Sequence, residues 1–202
     1  MKNYSIILAV FCIILFGFIH QSSAEKIKFQ AQQLEGVFKY PSDILIIPGT
    51  NKAYVSSKAK SVIYIIDLSL NPPAISDQIN LQSTDEIKLV ELAYNKHYQH
   101  IYALDWASSR VFIIDLITNS LIGNPVIVGG YPQNLIVSPD GQTIFVCANQ
   151  KDEILIINSL SKTITEKIYM GEDADPYGMA IANEKLYVAG RFSNKVYIIL
   201  LI

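Results

Sequence analysis

Residues 137–159 read VSPDGQTIFVCANQKDEILIINS. A turn signal, Ser138-Pro139-Asp140-Gly141, precedes an apolar run around Phe145, and a polar stretch then leads to a second apolar run ending on Asn158. Pro, Asp and Gly supply the backbone angles a tight turn needs, and β-branched runs on either side of such turns read as strands. The stretch nearly recurs. AYVSSKAKSVIYIID (53–67), IYALDWASSRVFIID (101–115) and LYVAGRFSNKVYIIL (186–200) align with IFVCANQKDEILIIN (144–158). The aromatic anchors Tyr54, Tyr102, Phe145 and Tyr187 are 48, 43 and 42 residues apart. Thirteen residues after each anchor stand Asp67, Asp115, Asn158 and Leu200.

A period of this length built from short β-rich runs predicts an all-β chain of propeller blades, four strands to a blade. Strand A is the apolar run at Asp43–Ile47, Leu89–Tyr94, Asn134–Val137 and Gly178–Ile181. Strand B carries the aromatic anchor. Strand C is the aliphatic run, closed by Asp67, Asp115 or Asn158, whose short acceptor side chains suit the following turn. Strand D is the weaker run after it, as at Thr163–Met170. One blade cannot bury both its faces, so the pattern must repeat for neighbours to cover each other.

The units resemble the YVTN-type β-propeller repeat. The third gives Tyr131-Pro132-Gln133, Ser138-Pro139-Asp140-Gly141 and Ile144-Phe145-Val146; the first gives Pro41, Tyr54-Val55-Ser56 and Ile65-Ile66-Asp67. The fourth gives Pro176-Tyr177-Gly178 and Tyr187-Val188-Ala189, and Gly129 and Gly171 match the closing glycine. The second unit departs, with Leu89 in place of the Pro and Asn95-Lys96-His97 as its turn, and the fourth lacks the Pro-Asp-Gly turn. The resemblance covers roughly residues 40–202 and implies fold rather than activity, because its motif residues are turn and core residues. YVTN-type propellers are usually seven-bladed, so four units fit either a closed four-blade ring or a fragment of a seven-blade ring. IKFQAQQL (27–34) precedes the first strand A and belongs to no complete unit, while the fourth unit reaches only the close of its strand C. The terminal strand is expected either to close the ring as the outer strand of the last blade or to be left over from a longer one.

The chain has 202 residues, 50% hydrophobic and 17% charged, with a net charge of -2. This is core-forming material without a basic field to draw it to nucleic acid. Lys2, the uncharged run SIILAVFCIILFGFI (5–19) and Ser22-Ser23-Ala24 form the three-part pattern of a secretory signal. The expectation is a signal peptide over 1–24, a repeat domain over 25–202, export to the periplasm or outside the cell, and no stable membrane anchor after cleavage. Cys12 leaves with the signal, so Cys147, flanked by Val146 and Ala148 in a strand pattern, reads as a buried small hydrophobe.

No Walker loop, nucleophile elbow or HExxH motif occurs. His97 and His100 could offer a metal edge, but two histidines in a polar turn without cysteine do not make one. Gly171-Glu172-Asp173-Ala174-Asp175 lacks the length and order of a calcium loop and reads as a solvated turn. No catalytic residue, metal or cofactor is expected. In a propeller the D–A and B–C loops of every blade reach one face, which here collects Tyr40, Trp106, Arg110, Tyr131, Tyr177, Arg191 and Phe192. An aromatic, arginine-bearing rim suits a protein, peptide or small ligand. The expectation is therefore a binding scaffold without chemistry of its own. The alternatives are a propeller-class enzyme (lactonase-like, streptogramin-lyase-like or quinoprotein-like) and a truncated, non-functional fragment.

Overall fold

The computed structural model describes Leu34 and residues 38–82 and 85–201. The signal segment expected over 1–24 and, apart from Leu34, the strand expected over 27–34 lie outside the described residues. The first sheet runs β1 (Pro41–Ile46), β2 (Lys52–Ser57), β3 (Val62–Asp67) and β4 (Ala74–Asn80) in that order. The second runs β5 (Leu89–Asn95), β6 (His100–Asp105) and β7 (Arg110–Asp115), with two short outer pieces, β8 (Ser120–Leu121) and β9 (Val126–Ile127), both paired to β7. The third runs β10 (Pro132–Val137), β11 (Thr143–Ala148), β12 (Glu153–Asn158) and β13 (Thr163–Tyr169). The fourth has β14 (Pro176–Ala182), β15 (Lys185–Gly190) and β16 (Lys195–Leu200). All pairings are antiparallel and, apart from β9 returning to β7, join neighbours in sequence, the up-and-down meander of a propeller blade.

Each feature of the repeat has a structural cause. The strand-C terminators cap the C–D turns: Asp115 Oδ1 accepts from the Ile117 and Thr118 amides at 2.9 and 2.8 Å, and Asn158 Oδ1 from Leu160 and Ser161 at 3.0 and 2.9 Å. Asp67 Oδ1 accepts from the Ser69 amide at 2.8 Å. The anchors point to the next blade. Tyr54 is buried in the cluster shared by the first two sheets, Tyr102 in the one between the second and third, and Phe145 in the one between the third and fourth. Cys147 is buried beside Phe145, and burial pushes its thiol far up from its ordinary value, so it behaves as a hydrophobe. Leu34 and Phe38 pack on the opposite face of the first sheet, against Ala53, Val55 and Tyr64. On the last sheet Val196, Ile198 and Leu200 are exposed.

Strand A holds what the sequence does not show. It begins at Pro41, Pro132 and Pro176, two residues ahead of the expected starts, and in every sheet its register with strand B slips near its beginning. Proline lacks the amide a central ladder needs and is tolerated as a first residue. The slip is a bulge, which re-aims the side chains beside it. Those side chains join neighbouring blades. Asp43 Oδ2 accepts from the Leu92 amide at 2.7 Å, and Asn134 Oδ1 from the Met179 amide at 3.0 Å. Glu91, at the same place in the second blade, accepts from Asn134 Nδ2 at 2.5 Å and from the Leu135 amide. Burial raises the Glu91 carboxyl from the usual 4.5 to about 7, against these hydrogen bonds, which lower it.

Candidate functional site

The D–A corners set the geometry of the loop face. In three blades the residue ahead of strand A adopts the left-handed conformation directly before a proline: Tyr40 at φ 46°, Tyr131 at 47° and Asp175 at 42°. This region is unfavourable for side chains larger than glycine, and persists only where surrounding contacts over-determine it. At Asp175 those contacts are visible. Asp152 Oδ1 accepts from the Asp175 amide at 2.7 Å and Asp152 Oδ2 from the Asp173 amide at 3.2 Å. The Asp175 carboxylate accepts from Asn149 Nδ2 at 3.1 Å and from Arg191 Nε at 2.5 Å.

Around this corner lies a cleft of about 610 Å³ lined by Trp106, Tyr131, Gln133, Asn149, Gln150, Asp152, Asp173, Asp175, Arg191 and Phe192. Three blades contribute. The second supplies Trp106, whose ring sits 5.1 Å from that of Tyr131, with Lys88 Nζ 5.6 Å from the indole centroid. The third supplies the amides and Asp152. From the fourth, the Arg191 guanidinium lies 4.6 Å from the Phe192 ring and 4.7 Å from the Tyr177 ring. Three carboxylates face one guanidinium in the lining, so the cleft is electronegative. Asn149 is only 6% exposed, and its Oδ1 has no hydrogen-bond partner. A flipped amide would set that oxygen against the Asp175 carboxylate, so electrostatics fix the assignment.

Of the residues expected on the loop face, Trp106, Tyr131, Arg191 and Phe192 line the cleft, and Tyr177 touches it through Arg191. Tyr40 is exposed on the first blade, away from that lining. Arg110 is also outside it. Its side chain is 12% exposed, bonded to Asp105 Oδ2 at 3.2 Å and to Asp85 at 3.3 Å, and stacked 5.1 Å from Phe112. The acidic stretch 171–175 is not simply the solvated turn expected of it, because Asp175 is 7% exposed and bonded on both oxygens. Sequence reasoning missed Asn149, Gln150 and Asp152, although the repeat sets Asn149 in line with Trp106 and Arg191, Gln150 with Phe192 and Asp152 with Asn194 in the B–C loops of the other units. The two histidines part company: His97 Nε2 is 3.2 Å from the Pro139 carbonyl oxygen, while His100 stacks beside Tyr98. Among the described residues no group of three or more His, Cys, Asp or Glu is placed to hold a metal ion.

Neither a protein-family model nor a curated protein sequence matches the chain. Solved structures do. The chain is similar to a structure of Kuenenia stuttgartiensis hydrazine synthase, at 17% identity and TM-score 0.70 over 86% of this chain and 49% of that one. The fold is β-propeller-like. It is also similar to a putative 6-phosphogluconolactonase from Bacteroides uniformis, at 15% identity and TM-score 0.67 over 78% of this chain and 49% of that one. A third is apo AztD from Citrobacter koseri, at 16% identity and TM-score 0.60, covering 86% of this chain and 46% of that one. At these identities the likeness is one of fold. The chain spans less than half the length of each of the three structures.

Proposed function

We propose that the chain is a β-propeller binding module whose ligand enters the cleft shared by the second, third and fourth blades. The observation that carries this reading is the convergence of Trp106, Tyr131 and Phe192, from three blades, on one concave space of about 610 Å³. Small-molecule and side-chain pockets fall in this size range and draw their energy from a few aromatic anchors. The acids of the cleft favour binding over catalysis. Asp152 and Asp175 each accept two hydrogen bonds from the protein, which spends them on holding the corner rather than on proton transfer. The YVTN-type assignment belongs to this proposal and rests on the turn and anchor residues quoted above.

Calorimetry against a panel of neutral peptides, oligosaccharides, alkylureas and the peptide Gly-Arg-Gly tests the reading. At least one probe should bind, and Trp106→Ala should abolish that binding while lowering Tm by less than about 4 °C, the equivalent of about 1 kcal/mol in a domain this size. If no probe binds, or if Trp106→Ala collapses the fold, the cleft is ordinary loop packing.

A further inference from the structure

The first and last blades carry matching faces. Ile65, Ile113 and Ile156 hold one strand-C position of the repeat, and each packs between its own blade and the next. The fourth blade has Ile198 at that position, 59% exposed, with Val196 at 68% and Leu200 at 63% beside it. Its own first blade therefore leaves this face uncovered. β16 is also an edge. It pairs with β15 and, among the described residues, carries no outer strand, whereas strand C of every other sheet does. An unpaired apolar edge is a template for another strand. The first blade has the converse face. Other blades receive there the strand D of the blade before, as with Ile79 on the second and Ile168 on the fourth. On the first blade Leu34 and Phe38 hold that place, the Phe38 ring edge-on to Tyr64 at 5.1 Å. The sequence agrees. IKFQAQQL (27–34) ends seven residues before Pro41, as β13 ends seven before Pro176. Its alternation of apolar and polar residues is that of a strand. The segment thus reads as the outer strand of a blade that precedes the first, and the fourth blade is one that lacks an outer strand.

We propose that two copies of the chain join head to tail. The fourth sheet of each copy receives the first blade of the other, and the other copy's segment 27–34 pairs with β16 as its outer strand. In such strand addition the main-chain hydrogen bonds give strength, and the alternate side chains give specificity. Made twice about a two-fold axis, the contact closes a ring of eight blades, four from each copy, within the range that propellers occupy. The ring leaves neither the apolar face of the fourth sheet nor the edge of β16 open to solvent.

Light scattering on the eluting chain, over a dilution series, tests this. The wild type should have twice the mass of one chain. Ile198→Lys should have the mass of one chain and keep the β-sheet circular dichroism, because the position is exposed within a copy and a lysine on an edge opposes pairing. Deleting residues 27–33 should likewise give single chains, and a peptide of residues 27–34 should bind the deleted chain but not the deleted chain that also carries Ile198→Lys. A wild type that is a single chain at every concentration overturns the proposal, as closure within one chain or by another protein predicts. A dimer that withstands Ile198→Lys places the contact elsewhere and overturns it. A dimer that falls to Ile198→Lys yet survives the deletion would mean that two β16 strands pair with each other, and overturns the head-to-tail arrangement. Assemblies that grow without limit on concentration would overturn the closed ring. None of these readouts involves the cleft, whose lining lies within one chain, so the binding-module reading stands or falls separately.

Discussion

Glu91 shows how much one side chain of the repeat can carry. Its neighbours at the same strand-A place are Asp43 and Asn134, and the three together tie strand A of each blade to strand A of the next. An aspartate or an asparagine serves this role with little conflict. The glutamate is buried enough to hold its proton to about pH 7, and the nearby Asp43 charge pushes in the same direction. Between the unfolded value near 4.5 and the folded value near 7 the folded chain therefore binds more protons than the unfolded one. Stability from this group is fully present below the unfolded value and is lost as pH rises through the folded one. Glu91→Gln should remove that decline. Chemical denaturation from pH 5 to pH 8 should show the variant gaining on the wild type as pH rises. A difference constant across that range would mean Glu91 is ionised throughout.

At the scale of the strand, the repeat was legible because each recurring residue type has one job. The anchors Tyr54, Tyr102 and Phe145 fill inter-blade space, and Asp67, Asp115 and Asn158 cap turns, so their spacing reads directly as sheet. The bulge in strand A was not legible, since it lies in backbone register rather than residue type. Arg110 reads in the sequence as a loop-face arm, yet Asp105 stands directly opposite it across the β6–β7 hairpin. That pairing was available from the strand assignment itself, because opposite charges facing each other across a hairpin attract. Strand C also separates two equivalent positions. Ile113 is buried between the second and third blades, whereas Ile156 is only partly buried against the fourth. Ile113→Ala should cost about 2–5 kcal/mol, the range for a filled core site, and Ile156→Ala less. Urea denaturation measures both. A cost at Ile113 below about 0.5 kcal/mol, as on a surface, would contradict blade stacking.

For the whole molecule, the site exists only because blades stack. Trp106, Asn149 and Phe192 are far apart in the sequence; the repeat sets them at the same or adjacent places in their B–C loops, but their side chains differ in kind. The loop face as a whole followed from propeller topology, but which of its residues share a cleft did not. Asp175 lay in a run that read as solvent-facing because its burial depends on Asn149, 26 residues away in the preceding blade. The central claim is that one cleft spans from the second blade to the fourth and binds there. Trp106 is the chain's one tryptophan, so its emission reports on this cleft without a label. The most direct measurement is the emission of Trp106 during titration with each probe of the panel, in the wild type and in Phe192→Ala. The account predicts a saturable change whose midpoint moves about tenfold or more in the variant, the loss expected of an aromatic anchor. An emission indifferent to every probe, or a midpoint unmoved by the loss of Phe192, would contradict it.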